Sequence, residues 1–316
     1  MKDSILMQMR DLSAWGILTD FRYSYLTMMP AYEANVLDRF ADMLDRGMIK
    51  TGARPVFWSV KQQRILGEED FGSEVSLKQA FVTKLGIRKF GAKAAKIKRN
   101  YPGAKMLVFT PESWQICAAK AVAINDKLSY ILVKQGNEYL ILAEKRLGEF
   151  IARFANGRQP ATQFKTLMVF SGAELADVQL ERPFGEPGHL PTVINRELKW
   201  TFGTGIQTVT PAHNIDDMRL SYHYNLSRQG CIDPETGFLQ SPASLEGTDL
   251  LDEDEATARV KRALQDEGQF YGAIPHQVTE YRMDEEDTSK EAERINLVTV
   301  DSWFARISDK LKFKCF

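Results

Sequence analysis

Apolar residues recur at helical spacing along the first fifty positions. Ile5, Leu6, Met9 and Leu12 share one face; Val36, Leu37, Phe40, Met43 and Leu44 share another. The spacing predicts a helix that stops near Gly16 and a longer one from Pro30 to about Gly47, with Glu33, Asp38, Arg39, Asp42 and Asp45 on its polar side. Both stripes are expected to be core. Further on, the apolar runs shorten. Ala80 to Ile87, Leu107 to Thr110, Tyr130 to Val133, Glu138 to Ala143 and Thr166 to Phe170 read as strands, two of them joined in a hairpin across Lys134-Gln135-Gly136-Asn137. Helical spacing returns from Phe90 to Arg99, from Glu144 with Leu147, Phe150, Ile151 and Phe154 inward, and from Asp252 to Glu267 with a stop at Gly268. The loop from Gly185 to Leu190, with His189, reads as a surface turn. The fold class predicted is mixed α/β (α+β).

One stretch, Thr201 to Asp217, organises the rest. Gly203-Thr204-Gly205 allows a tight bend and a close approach by another group. Ile206, Thr208 and Thr210 are β-branched at period two and run to Pro211; His213, Asn214, Asp216 and Asp217 follow, then Leu220 and Tyr224 at helical spacing. This predicts a glycine turn, a short strand, a proline loop, and a helix with a carboxylate in its first turn. Such a carboxylate also suits a cap and the helix dipole.

The chain has 316 residues, 44% hydrophobic and 26% charged, with a net charge of -1, so any affinity for nucleic acid must be local. Residues 76 to 111 contain no acid but carry Lys78, Lys84, Arg88, Lys89, Lys93, Lys96, Lys98, Arg99 and Lys105, with Phe90 and Tyr101 interleaved. That density fits a phosphate-tracking surface, and equally an acidic protein surface or a merely solvated face. Cys117, Cys231 and Cys315 are odd in number and lack metal-type spacing, which indicates a reducing compartment. No apolar run is long enough to span a bilayer, and the amphipathic N-terminus, with Asp3 and Asp11, is not a secretory signal.

The order Gly203-Thr204-Gly205, Pro211-Ala212-His213 and Asp217 resembles the signature of the editing insertion of class I aminoacyl-tRNA synthetases of the isoleucyl, valyl and leucyl group. Tyr25-Leu26-Thr27-Met28, Tyr32-Glu33-Ala34 and Pro55-Val56-Phe57-Trp58-Ser59 are similar to the passage from an isoleucyl enzyme's Rossmann domain into that insertion. Ala121 to Asn125, Ser171 to Leu175, Arg182-Pro183-Phe184 and the turn from Asp233 to Phe238 resemble the surroundings of its pocket; Ser302-Trp303-Phe304 and Asp309-Lys310-Leu311 resemble the re-entry. The resemblance implies a β-barrel-like editing domain at residues 53–240, with a basic helical insertion at 88–103. Helical stalks left from the catalytic domain would flank it, at 1–52 and in a helical and extended return at 241–316. The synthetase ATP motifs do not occur in these residues, so amino-acid activation is not expected of them alone.

By the same resemblance Asp217 would grip the ammonium of a mischarged amino acid, and Thr110 and Thr208 would position water and ribose. Gly203, Thr204, Gly205, His213 and Trp114 would line the pocket. The chain departs from the pattern. Of the threonine run only Thr110 remains, Glu112 replaces a hydroxyl, Ala119 stands where the family has Asn, and Thr208 stands where isoleucyl members have His. Gln277 to Tyr281 replace the cysteine pair that follows the family's Pro-His, so no metal and no cofactor are expected. The reading that results is a degenerate editing domain, a non-catalytic subunit of a larger assembly. It would contact tRNA, rRNA or an acidic protein surface through Lys84, Arg88, Lys89, Lys93, Lys96, Lys98, Arg99 and Lys105. The setting expected is the mitochondrial matrix, otherwise the cytoplasm, and not the exterior. The alternative is a stand-alone deacylase acting on mischarged tRNA.

Overall fold

The computed structural model describes residues 2–155, 164–283 and 292–307; Asp309 to Leu311, Cys315 and most of the acidic run 284–293 lie outside them. The chain divides into two compact units, Met1–Gly52 with Ser302–Phe316, and Ala53–Asp301.

In the first unit, helix α1 spans Lys2–Ala14 and α2 spans Pro30–Asp45. Pro30 opens α2, where its fixed φ suits the first turn and its missing N–H costs nothing. The expectation that both apolar stripes are core is not met. Neither helix has a buried residue, and Leu6, Val36, Leu37, Phe40 and Leu44 are exposed. Periodicity reveals that a helix has two faces; it does not supply the surface that covers one of them. Phe40 meets Trp303 edge to face at 5.3 Å, and the Arg306 N–H donates to the Met48 carbonyl.

The second unit is built on strands. They are β1 (Ile49–Ser59), β2 (Arg64–Ile65), β3 (Phe71–Lys89), β4 (Ala104–Thr110), β5 (Ala121–Ile124), β6 (Ser129–Gln135), β7 (Glu138–Ala143), β8 (Phe164–Ser171), β9 (Gln179–Glu181), β10 (His189–Ile194), β11 (Gln207–Val209), β12 (Phe270–Met283) and β13 (Arg294–Ala305). Among them lie α3 (Ala95–Asn100), α4 (Leu147–Ala155), α5 (Ile215–Tyr224) and α6 (Glu253–Asp266). His189 begins β10 and pairs with Glu181, so the surface turn expected there ends two residues earlier, at Gly188.

The hydrogen bonding closes on itself. Along the sheet, β3 is followed by β9, β10, β5, β11 and β4, and β4 pairs back onto β3 from Phe81↔Thr110 to Gly86↔Lys105. Six strands thus form a ring, the barrel-like core that the resemblance implied. Five of them, and Ile206 immediately before β11, share one apolar interior: Leu85, Met106, Val122, Leu180, Leu190 and Ile206 are fully buried in one cluster. The opposite faces are covered too. Val82, Leu107 and Phe109 pack outward with Leu140 and Ile274 and with Phe150 of α4. A strand buried on both faces carries an unbroken apolar run, which is why these strands read as short runs and not as alternation.

Outside the ring, β12 lies antiparallel along β3 from Phe270↔Thr83 to Met283↔Phe71, and β7, β6 and β8 extend the other side. The hairpin loop between β6 and β7 is the pair Gly136-Asn137. The Tyr130 hydroxyl of β6 is buried, donating to the Gly205 carbonyl at 2.9 Å and accepting from the Asn125 N–H at 3.0 Å. Tyr130→Phe leaves both backbone groups without that partner and is expected to cost about 1–3 kcal/mol, measured by urea unfolding.

Candidate functional site

Strands β4 and β11 run parallel with Phe109 opposite Gln207, so Thr110 and Thr208 sit side by side at their C-terminal ends. Alternation puts Thr110 on the face of Met106 and Val108, and Thr208 on that of Ile206, which is the inside of the ring. Thr110 is 0% and Thr208 2% exposed. The Thr208 hydroxyl is 3.5 Å from the Phe109 carbonyl oxygen; the Thr110 hydroxyl has no hydrogen-bond partner among the described residues.

Asp217 reaches the same place from α5. Asn214 caps that helix, its side chain accepting from the N–H groups of Asp216 and Asp217. The Asp217 carboxylate turns back to the end of β11, where Oδ2 accepts from the Thr210 N–H at 2.7 Å and the Thr210 hydroxyl lies at 3.3 Å. It is 8% exposed, and burial pushes its pKa to about 6 in spite of those bonds.

His213 is committed on both ring nitrogens. Nδ1 lies 2.7 Å from the Leu297 carbonyl and donates to it, while Nε2 accepts from the Cys231 N–H at 3.2 Å. Burial pulls its pKa down to about 4, and Trp114 stacks edge to face against it at 5.1 Å. The Thr299 hydroxyl donates to the Ala212 carbonyl, so β13 holds the Pro211–His213 loop at two points.

The glycines of the focal stretch answer to packing. Gly203 has φ +54° and Gly205 φ +77°; an added Cβ would fall 2.1 Å from the Phe109 ring and 2.4 Å from the Ala143 methyl. Thr204 between them is fully buried, donating to the Leu107 carbonyl at 2.7 Å. The structure therefore brings Thr110, Thr208 and Asp217 to one end of the ring with His213 and Trp114 beside them, and places Thr204 and Gly205 in the core and Gly203 at its edge.

Glu112, at the position of a family hydroxyl, accepts from Trp114 Nε1 at 3.2 Å and Gln115 Nε2 at 3.1 Å and pairs with Arg294. Arg294 also meets Glu253 at 3.1 Å, and Lys78 meets Glu280 at 2.7 Å and Glu253. Nothing local in the sequence predicts this network, since its members come from positions 78, 112, 253, 280 and 294.

The basic stretch divides in space. Lys84 and Lys105 both bind Glu138, at 3.0 and 2.8 Å, and Arg88 faces Glu181 at 3.9 Å. These acids belong to other strands, so counting charge along residues 76–111 overstates the basic surface. Lys84 and Lys105 are taken up by pairing; Lys89, Lys93, Lys96, Lys98 and Arg99 stand exposed on and around α3. Ala94 and Ile97, both 0% exposed, anchor that knob.

The profile of the family described as tRNA synthetases class I (I, L, M and V) matches residues 2–314. The mitochondrial isoleucine–tRNA ligase of Gallus gallus is 30% identical over 255 residues, which is 79% of this chain and 25% of that protein. The isoleucine–tRNA ligase of Nitrosococcus oceani is 29% identical over 242 residues, 72% of this chain and 25% of the relative. The chain thus spans about a quarter of the length of the ligases it matches. Among solved structures, the P. knowlesi cytosolic leucyl-tRNA synthetase editing domain aligns with a TM-score of 0.47 and 13% identity, covering 67% of this chain and 99% of that one.

Two outcomes test the site as a packed end of the ring. Thr110→Val removes an unsatisfied buried hydroxyl and is expected to stabilise the fold by about 1–2 kcal/mol in urea unfolding. The second concerns pH. An unfolded aspartate ionises near 3.8 while folded Asp217 holds its proton to about 6, so this group lowers stability as pH rises between those values. Unfolded His213 binds a proton near 6.5 and the folded ring only near 4, so it raises stability over nearly the same interval. Each amounts to about 3 kcal/mol, and the two oppose each other. In Asp217→Asn the histidine is left unopposed, and stability should climb from pH 4 to 6.5 more steeply than in the parent chain.

Proposed function

The chain belongs to the tRNA synthetases class I (I, L, M and V) family, and on that premise we propose that it is an editing-type domain whose hydrolytic site is spent, a non-catalytic subunit that contacts RNA within a larger assembly. A mitochondrial ribonucleoprotein such as the mitoribosome is the setting proposed. The observation that carries this reading is the state of Asp217. A carboxylate that grips a substrate ammonium has to be ionised and open to it, and this one is 8% exposed and turned inward onto the Thr210 N–H.

The neighbouring groups support the same reading. Deacylation needs a placed water and donors aimed at the developing oxyanion, each worth about 3 kcal/mol in rate. Here the Thr110 and Thr208 hydroxyls face the ring interior, and Ala119, 1% exposed, offers no side-chain amide. His213 has no nitrogen left to act as a base. One observation favours the deacylase alternative: Asp217 Oδ1 accepts no hydrogen bond among the described residues, so half of the carboxylate is uncommitted. No helix of the described residues is long and apolar enough to cross a membrane.

The test is direct. The purified chain incubated with isoleucine tRNA charged with valine should leave the ester to decay at the rate of buffer alone, followed by acid-precipitable label. Faster hydrolysis that disappears in Asp217→Ala would transfer the assignment to the deacylase.

A further inference from the structure

The exposed Lys89 and Ala92, at the base of the knob that carries α3, help to line a groove of about 450 Å³. Lys89, Phe90 and Ala92 line one flank, and Pro191 and Tyr224 the other, with Asp177 and Gln179 between them. Phe90 and Tyr224 are half-buried, so each ring is held from behind; the Tyr224 hydroxyl is fixed on the Ile194 backbone at 3.1 Å. The knob is seated tightly, since a Cβ on Gly91 would fall 2.5 Å from the Ala176 carbonyl oxygen.

We propose that this surface binds a single strand of RNA, its phosphates following Lys93, Lys96 and Arg99 and one unpaired base entering the groove against Phe90. The inference rests on the reading of the chain as a non-catalytic RNA-contacting subunit and names the form of RNA. Lys93, Lys96 and Arg99 are three apart, so they line one side of the knob as neighbours. No ion pair is formed by them among the described residues, in contrast to Lys84 and Lys105.

A row of cations alone fits any polyanion. The groove makes the difference. An apolar slot with aromatic walls takes up a base face, whichever base it is, and a base in a duplex has no free face to offer. Asp177 on the rim accepts hydrogen bonds, and Gln179 can donate or accept; both suit a base edge, and Asp177 would repel a phosphate or an acidic peptide laid in the groove. Charge on the knob and the polar rim of the groove thus select a strand whose backbone and bases are separately accessible.

The experiment is fluorescence anisotropy of the full chain with a labelled twelve-nucleotide single-stranded RNA and with a duplex of equal length. Single-strand affinity should fall with salt at a slope of roughly -2 to -3.5 on logarithmic axes, as for three to five phosphates, and exceed duplex affinity. Lys93→Glu with Lys96→Glu and Arg99→Glu should lower it by roughly a hundredfold. Ala92→Leu, at an exposed position, fills the groove without a change of charge and should lower single-strand affinity about tenfold while leaving duplex binding unaltered. Equal affinity for both RNAs, an unaffected Ala92→Leu variant, or binding of an acidic peptide in place of RNA would each overturn the proposal. Loss of RNA binding with the valyl ester still intact removes this inference alone; ester hydrolysis dependent on Asp217 removes the reading beneath it.

Discussion

The pairing of β4 onto β3 is the constraint from which the rest of the second unit follows. Without it the strands from β9 to β11 would be an open sheet with free edges; with it they enclose an interior whose occupancy is set by alternation along each strand. A ring of six strands is narrow, and Leu85, Met106, Val122 and Ile206 already fill it. Once Phe81 is opposite Thr110, the threonine has to face inward with Met106 and Val108, among groups that cannot hydrogen-bond to it. The buried hydroxyls are therefore a consequence of closure and of interior packing, and need no separate explanation.

The same constraint fixes the loop that carries Asp217. The bend at Gly203 and Gly205 brings the chain against Phe109 and Ala143, which sets β11 beside β4 and delivers Thr210 to the ring's end. Thr210 then has a backbone N–H with no strand to bond it. Asp217 supplies the acceptor, at the expense of burying a carboxylate. His213 makes a comparable exchange, giving up its charge to join the loop to Leu297 and Cys231. Polar groups here serve the backbone first, which is what distinguishes a packed strand end from an open pocket.

Much of this was legible from the chain. The turn, strand, proline loop and capped helix of Thr201–Asp217 are read from residue types whose effect is local: glycines, β-branched residues at period two, and Asn and Asp at a helix start. The central runs of strands Ala104–Thr110 and Glu138–Ala143, Met106 to Phe109 and Leu140 to Ala143, are apolar without a break because both of their faces are covered, so length and turn residues identified them. What could not be read depends on partners distant in sequence. Glu138 takes Lys84 and Lys105 out of a stretch that looked uniformly basic, and Arg294 neutralises Glu112 across 182 positions. For α2 the failure was of another kind: a strong apolar face was visible, and its exposure in the first unit was not.

On the non-catalytic reading proposed above, gaining hydrolysis from this arrangement would require several changes at once, because the groups are coupled. Freeing Asp217 strands the Thr210 N–H, and burial makes its charged form about 3 kcal/mol less favourable than that of an exposed aspartate. Opening the site disturbs the ring interior that Thr110 and Thr208 share with Met106 and Ile206. Releasing His213 unties β13 from the Pro211–His213 loop. Surface residues such as Lys93 and Lys96 have no such ties, since the buried Ala94 and Ile97 hold the knob whatever stands on its outer side. The interior is therefore locked to its present packing, and the exposed side of the domain is where contacts can be made without dismantling the fold.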